Sequence, residues 1–179
     1  MVSTVLVDLG NVLVHVDTER TVVRLVELSG RPAELVRQAA YGPGYQAVNR
    51  GEISWRQFAE GLAAQLGIRG PLEAIAEAWR ASLYPYREVI DIIEALTPRY
   101  RLVLLSNTDE VHFEYSKRIV PLLERFTAFA ISCRVKSMKP EPQIYQEALR
   151  LANCSPDQCL FIDDLEANVR GAAVVGIQA

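Results

Sequence analysis

VLVDLGNVLVHVD, residues 5–17, decides how the rest of the chain is read. Val5, Leu6 and Val7 form an apolar run that stops on a carboxylate, Asp8. An apolar run without polar alternation is the pattern of a strand covered on both faces, as in a parallel sheet flanked by helices. In such sheets ligands bind beyond the carboxyl ends of the strands. Asp8 therefore stands where a nucleophile or a metal ligand would be needed. Two residues later the chain has Gly10, which brings no side chain to that place.

Outward from this strand, apolar runs of strand length recur at Leu102–Leu105, Ala128–Ile131 and Cys159–Ile162. Segments of helical period separate the later ones. The spacing predicts an α/β fold with a Rossmann-like parallel sheet and crossover helices. The interval between the first two strands is far longer than one crossover helix needs. It reads as helical. Asp17 suits the cap of a helix running to about Gly30, and Pro32 a second start. Ser54-Trp55-Arg56-Gln57 fits a capping box for a helix that stops at Gly67. Pro71 opens another, with Leu72, Ile75, Trp79 and Leu83 at helical spacing. The expected division is a core of residues 1–14 and 84–179 and an inserted helical subdomain of residues 15–83. Tyr41-Gly42-Pro43-Gly44-Tyr45 reads as a turn between helices, with rings available to a ligand. Arg50 is a further candidate contact for a hydroxyl or phosphate. The final GIQA reads as the beginning of one more strand.

The 179 residues suffice for one full core with a small insertion. Half the residues are hydrophobic and 23% are charged, as in a folded domain. A net charge of −3 without a Lys/Arg cluster gives no reason to expect a nucleic-acid partner. No apolar run is long enough to span a bilayer, and the first residues lack the basic start of a signal peptide. The three cysteines, Cys133, Cys154 and Cys159, form no Cys-x-x-Cys pair. Reduced thiols in a cytoplasmic protein are the expectation.

The polar residues at the strand ends carry the chemistry. Strand one ends in Asp8, LVLLSNT in Ser106 and Asn107, and CLFIDD in Asp163 and Asp164. VKSMKPEPQIY places Lys139 ahead of a helix starting near Pro140. Singly, each has an ordinary structural use as a cap or a surface charge. Together at corresponding strand ends they suit a phosphoryl group. Clustered carboxylates call for a hard cation, and Mg²⁺ takes oxygen ligands from one or two carboxylates, waters and phosphate. A hydroxyl and backbone N–H groups at Ser106-Asn107 can bind phosphate oxygens. Lys139 offsets the remaining charge, and Asp8 can attack phosphorus to form an aspartyl-phosphate.

At this point the sequence resembles the haloacid dehalogenase (HAD) superfamily over nearly its whole length. DLGNVL is similar to the first motif of that family, LSNT to the second, KPEPQIY to the third and FIDDLEANV to the fourth. The helical insert is similar to the cap of one subclass. DLGNVL, LSNTxxxH and KPEPxIYQ together resemble bacterial sugar-phosphate phosphatases of the glucose-1-phosphatase type. The resemblance implies Asp8 as nucleophile and Ser106, Asn107 and Lys139 as phosphate-binding groups, with Lys139 also catalytic. It implies a Mg²⁺ site from Asp8, the Gly10 carbonyl and Asp164, with Asp163 assisting and Asn168 trailing. A small phosphorylated metabolite is the implied partner.

Gly10 departs from the family pattern, in which a second aspartate serves as acid and base. Such a group contributes about 10²–10⁴-fold in rate. A slower phosphatase is one consequence. A substitute acid from His15, Asp17 or His112 is another. A HAD-like binding protein without turnover is a third. A 2-haloacid dehalogenase, which also lacks that aspartate, is the enzymatic alternative. DLGN and the paired Asp163-Asp164 favour phosphate and metal over it.

Overall fold

The computed structural model describes all 179 residues. Six strands are β1 (Thr4–Val7), β2 (Val14–Val16), β3 (Leu83–Pro85), β4 (Arg101–Ser106), β5 (Ala128–Ile131) and β6 (Cys159–Ile162). Ten helices are α1 (Thr18–Ser29), α2 (Ala33–Ala40), α3 (Pro43–Arg50), α4 (Trp55–Leu66), α5 (Leu72–Arg80), α6 (Arg87–Glu94), α7 (Glu110–Ile119), α8 (Ser132–Val135), α9 (Pro142–Ala152) and α10 (Glu166–Val174). The main sheet is parallel throughout in the order β5-β4-β1-β6. It is the Rossmann-like α/β core that the apolar runs predict.

The side-chain period of two explains why those runs do not alternate in polarity. Val5 and Val7 pack on one face of the sheet with Leu102, Leu104, Ile93 and Phe113. Leu6 packs on the other with Val103, Leu105, Ile144, Tyr145 and Phe161. Both faces are covered, so every position must be apolar. Register sets Val7 beside Leu104 and Ile162, which brings three strand ends to one edge.

Helices α1–α5 pack around a separate apolar cluster with Leu25, Phe58, Leu62, Ile75 and Trp79 inside it. We take this group as the inserted cap. Its base is an antiparallel ribbon of β2 and β3, pairing His15 with Tyr84. Most of the expected helix ends are present. The Asp17 side chain caps α1, and Gly30 ends it in the left-handed conformation. The Ser54–Gln57 box opens α4, and left-handed Gly67 closes it. Pro43 is a correction. The 41–45 stretch is not a plain turn but the entry to α3, with Pro43 in its first turn. Proline's missing N–H and fixed φ suit that position, so Gly-Pro-Gly opens a helix here.

The thiol expectation is also corrected. Cys154 and Cys159 are paired as a disulfide across the short 3-10 turn Pro156–Gln158, and only Cys133 is free. The turn brings together two cysteines whose spacing in the sequence gives no sign of it. No helix is long and apolar enough to cross a membrane. At the far end of the chain, Phe161 N–H donates to the Gln178 carbonyl at 2.7 Å, a single bridge on the open side of β6.

Candidate active site

β1 delivers Asp8 at the sheet edge, and Asp8 N–H donates to the Ile162 carbonyl at 3.0 Å. That bond ties the ends of β1 and β6 together, so Asp8 meets the carboxylates that follow β6. One oxygen from each of Asp8, Asp163 and Asp164 lies within 4.8 Å of the others. Lys139 enters the cluster from the loop before α9. Its buried Nζ is 2.7 Å from Asp8 Oδ1 and 2.6 Å from Asp163 Oδ2, and it donates to the Leu105 carbonyl at 3.0 Å. The approach to Asp8 is a buried ion pair.

Burial pushes the Asp8 carboxyl above its ordinary range. The Lys139 ammonium pulls it back, and the neighbouring Asp163 charge adds to the rise. Removing a carboxylate from water disfavours its charged form, and a like charge nearby does the same. Three carboxylates face one ammonium. The uncompensated negative charge and the oxygen donors fit a hard divalent cation such as Mg²⁺.

The three carboxylates are not equivalent. Asp163 Oδ1 accepts from Leu165 N–H and Asn168 Nδ2, both at 2.9 Å, while its Oδ2 serves Lys139. It holds the lysine in place and has little capacity left for a cation. Asp164 is exposed to the cavity and has a long contact from Asn11 Nδ2 at 3.4 Å. Asp8 and Asp164 are the carboxylates left to a cation, and Gly10 lines the same cavity. Ser106 ends β4 and is buried. Asn107 braces the lysine loop: Nδ2 donates to the Lys139 carbonyl at 2.9 Å, and Lys139 N–H donates to Oδ1 at 2.7 Å. One amide N–H and the backbone of Asn107, which lines the cavity, are left for a ligand.

A cavity of about 260 Å³ opens over this cluster, lined by Asp8, Gly10, Asn11, Ser106, Lys139, Asp164 and, from the cap, Tyr45, Gln46 and Asn49. A narrow pocket of about 60 Å³ adjoins it and continues under the cap to Thr18, Tyr41, Ser82 and His112. Gly10, Val16, Tyr45, Asn49, Ser106 and Asn107 line both and form the neck between them. A larger hollow of about 400 Å³ between α1 and α5 is far from the strand ends and has no such cluster.

The candidate substitute acids do not line the cavity over Asp8. His15 stacks between Tyr84 and Tyr86, with ring centroids at 4.6 and 4.0 Å. Asp17 caps α1. His112 reaches the inner pocket, but its Nε2 is 3.0 Å from the Trp79 carbonyl and 3.3 Å from Ser82 Oγ. Two features escape sequence reasoning. Asn11, at φ 54°, accepts from Val16 N–H at 3.2 Å and turns its amide towards Asp164. Its signal is an Asn in a tight turn directly after Gly, a residue that tolerates the left-handed region. The other is Asp109, wholly buried, which caps α7 and accepts the Trp79 indole N–H at 2.9 Å.

A parallel sheet that gathers an aspartate, a lysine and a paired aspartate at its carboxyl edge, under a helical insert, defines a class of hydrolase. The chain belongs to the haloacid dehalogenase-like hydrolases, whose family model matches residues 2–176. It is 25% identical to a D-ribitol-5-phosphate phosphatase of Bacteroides thetaiotaomicron, covering 99% of this chain and 90% of that one. A crystal structure of the HAD family enzyme bt-2542 of the same species, in complex with magnesium and inorganic phosphate, superposes with a TM-score of 0.88. It is 28% identical, with 99% and 92% of the two chains covered. A HAD-like family hydrolase of Porphyromonas gingivalis gives a TM-score of 0.81 at 28% identity, covering 99% and 89%.

Proposed function

We propose that this enzyme is a Mg²⁺-dependent phosphatase of a small sugar or polyol phosphate, working through an aspartyl-phosphate on Asp8. The observation that carries the reading is the meeting of Asp8, Lys139 and the Asp163-Asp164 pair beside Ser106 at one sheet edge. The relatives named for ribitol 5-phosphate and solved with magnesium and phosphate support it.

Asp8 is the one carboxylate at the strand end that both faces the cavity and is held by Lys139. Its oxygen attacks phosphorus, the P–O bond to the alcohol breaks, and the leaving alkoxide takes a proton from solvent water. Water then attacks phosphorus and gives up a proton to solvent, the acyl-phosphate bond breaks, and inorganic phosphate leaves with Asp8 regenerated. Lys139 and the Ser106 hydroxyl hold the phosphoryl oxygens, and Asp163 and Asn107 keep Lys139 on station. Bound Mg²⁺ supplies charge neutralisation between Asp8 and the phosphoryl group. With glycine at position 10, no carboxylate or imidazole beyond the cluster itself lines the phosphoryl cavity. Esters with poor leaving groups should then lose part of the ~10²–10⁴-fold that an acid supplies.

The test is a panel of ribitol 5-phosphate, ribose 5-phosphate, glucose 1-phosphate and p-nitrophenyl phosphate with Mg²⁺, beside halide release from 2-chloropropionate. Metal-dependent phosphate release with no halide is expected. Halide release, or phosphate binding without turnover of any ester, would overturn the reading.

A further inference from the structure

Cap and core also meet beside the phosphoryl cavity, and the contact is polar. α3 ends at Arg50 on a left-handed Gly51, φ 70°. A side chain at position 51 would collide with the Cys133 carbonyl, so cap backbone lies directly on α8. The Lys136 ammonium donates to the Gly51 carbonyl, and Ser132 Oγ donates to the Asn49 carbonyl at 2.6 Å. The same Ser132 oxygen accepts Thr108 N–H at 2.9 Å, two residues past Ser106.

Arg50 completes the contact with a two-pronged ion pair on Glu141: Nη1 to Oε2 at 2.8 Å and Nη2 to Oε1 at 2.7 Å. Paired parallel bonds of this kind fix orientation as well as distance. Glu141 also closes the loop that carries Lys139. Its Oε2 accepts Ser137 Oγ at 3.0 Å and Met138 N–H at 3.2 Å. The Arg50 hydrogen bonds, against the opposing effect of burial and with help from those of Met138 and Ser137, hold the Glu141 carboxyl down to about 2. On the other side of the pair, Tyr45, Gln46 and Asn49 of α3 line the phosphoryl cavity, while Arg50 does not.

We propose that Arg50 and Glu141 are positioning residues for the phosphatase reaction, one ion pair that seats the cap wall over the phosphoryl centre. The inference rests on the phosphatase reading. It assigns Arg50 to the core rather than to a substrate hydroxyl or phosphate. Tyr45, Gln46 and Asn49 face the leaving group only while α3 is seated. Loss of the pair weakens recognition of a substrate long enough to reach that wall more than transfer from a small phosphoryl donor.

The experiment uses the full chain as Arg50→Met, Arg50→Lys, Glu141→Gln and the Arg50→Met/Glu141→Gln double variant. Amide hydrogen exchange with Mg²⁺ and inorganic phosphate reports the seating of α3 without turnover. Protection across residues 45–50 is expected to fall about tenfold in Arg50→Met and no further in the double variant, because one interaction is lost either way. Arg50→Lys should recover part of it, and β1 and β4 should stay as protected as in wild type. In kinetics, Arg50→Met should lose about tenfold in kcat/KM on ribitol 5-phosphate while acetyl phosphate changes less than about twofold. Unchanged protection of α3, a double variant that multiplies the single effects, a general loss of protection in the sheet, or equal slowing on both substrates would each overturn the proposal. If wild type hydrolysed neither substrate, the phosphatase reading would fail, and the exchange pattern would still decide whether the ion pair seats the cap.

Discussion

Asp8 carries opposite demands. Chemistry needs it ionised, and burial with Asp163 beside it favours the proton. Its raised folded value means that the folded state binds more protons than the unfolded one between the ordinary carboxylate range and the raised value. Stability of the metal-free enzyme therefore falls as pH rises through that window, and the ionised group remains a cost above it. Asp8→Asn should melt at or above wild type in EDTA at pH 7, with the gap narrowing as the pH drops through the window. Thermal melts across pH check this, and an Asp8→Asn that melts well below wild type at pH 7 would contradict it. Asp8, Ser106, Asp163 and Asp164 were legible because each follows an apolar run of strand length, and Lys139 because KPEPQIY is similar to a family motif. Their division of labour was not. That Asp163 turns to Lys139 and Asn168, and Asn107 to the lysine backbone, depends on side-chain directions that no spacing encodes.

At the scale of elements, capping chemistry was the best guide inside the insert. Asp17, Ser54 and the glycines at 30 and 67 mark helix ends because short polar side chains and left-handed backbone satisfy groups the helix cannot. α3 was missed because Gly42-Pro43-Gly44 reads as a breaker while serving as a start. The link between α5 and α7 was also illegible, since Trp79 and Asp109 lie thirty residues apart in sequence and meet only in the fold. Trp79 is buried, and its indole N–H donates to the Asp109 carboxylate beside Val111 and His112 N–H at 2.8 and 3.0 Å, with His112 Nδ1 at 3.3 Å. Trp79→Phe keeps an aromatic ring in the cap cluster but strips one donor from a buried charge. It should cost about 1–3 kcal/mol in urea denaturation, the penalty of an under-satisfied buried group. Trp79→Ala should cost about 3–5 kcal/mol by emptying the cluster as well.

For the molecule as a whole, the parallel order β5-β4-β1-β6 sets β1 between β4 and β6, so strand ends far apart in sequence share one edge. That convergence was legible from the recurrence of apolar runs and from the family motifs. The β2–β3 ribbon beneath the insert was not, because three-residue strands leave too short a pattern. The excess negative charge at the edge makes the fold respond to a divalent cation. Mg²⁺ that binds only the folded state stabilises it by RT ln(1 + [L]/Kd), about 2.7 kcal/mol at a hundredfold excess over Kd. For a chain of this size that is a rise of roughly 5–10 °C in Tm, reversed by EDTA. Asp164→Asn should blunt the rise, and an equal rise in that variant would place the cation elsewhere.

The most direct measurement is phosphate release from ribitol 5-phosphate by wild type and Asp8→Asn, each with Mg²⁺ and with EDTA. Turnover in wild type with Mg²⁺, abolished by EDTA and absent from a folded Asp8→Asn, is the predicted result. Turnover that persists in Asp8→Asn, or that is indifferent to EDTA, would contradict the assignment of Asp8 as the nucleophile of a metal-dependent phosphatase.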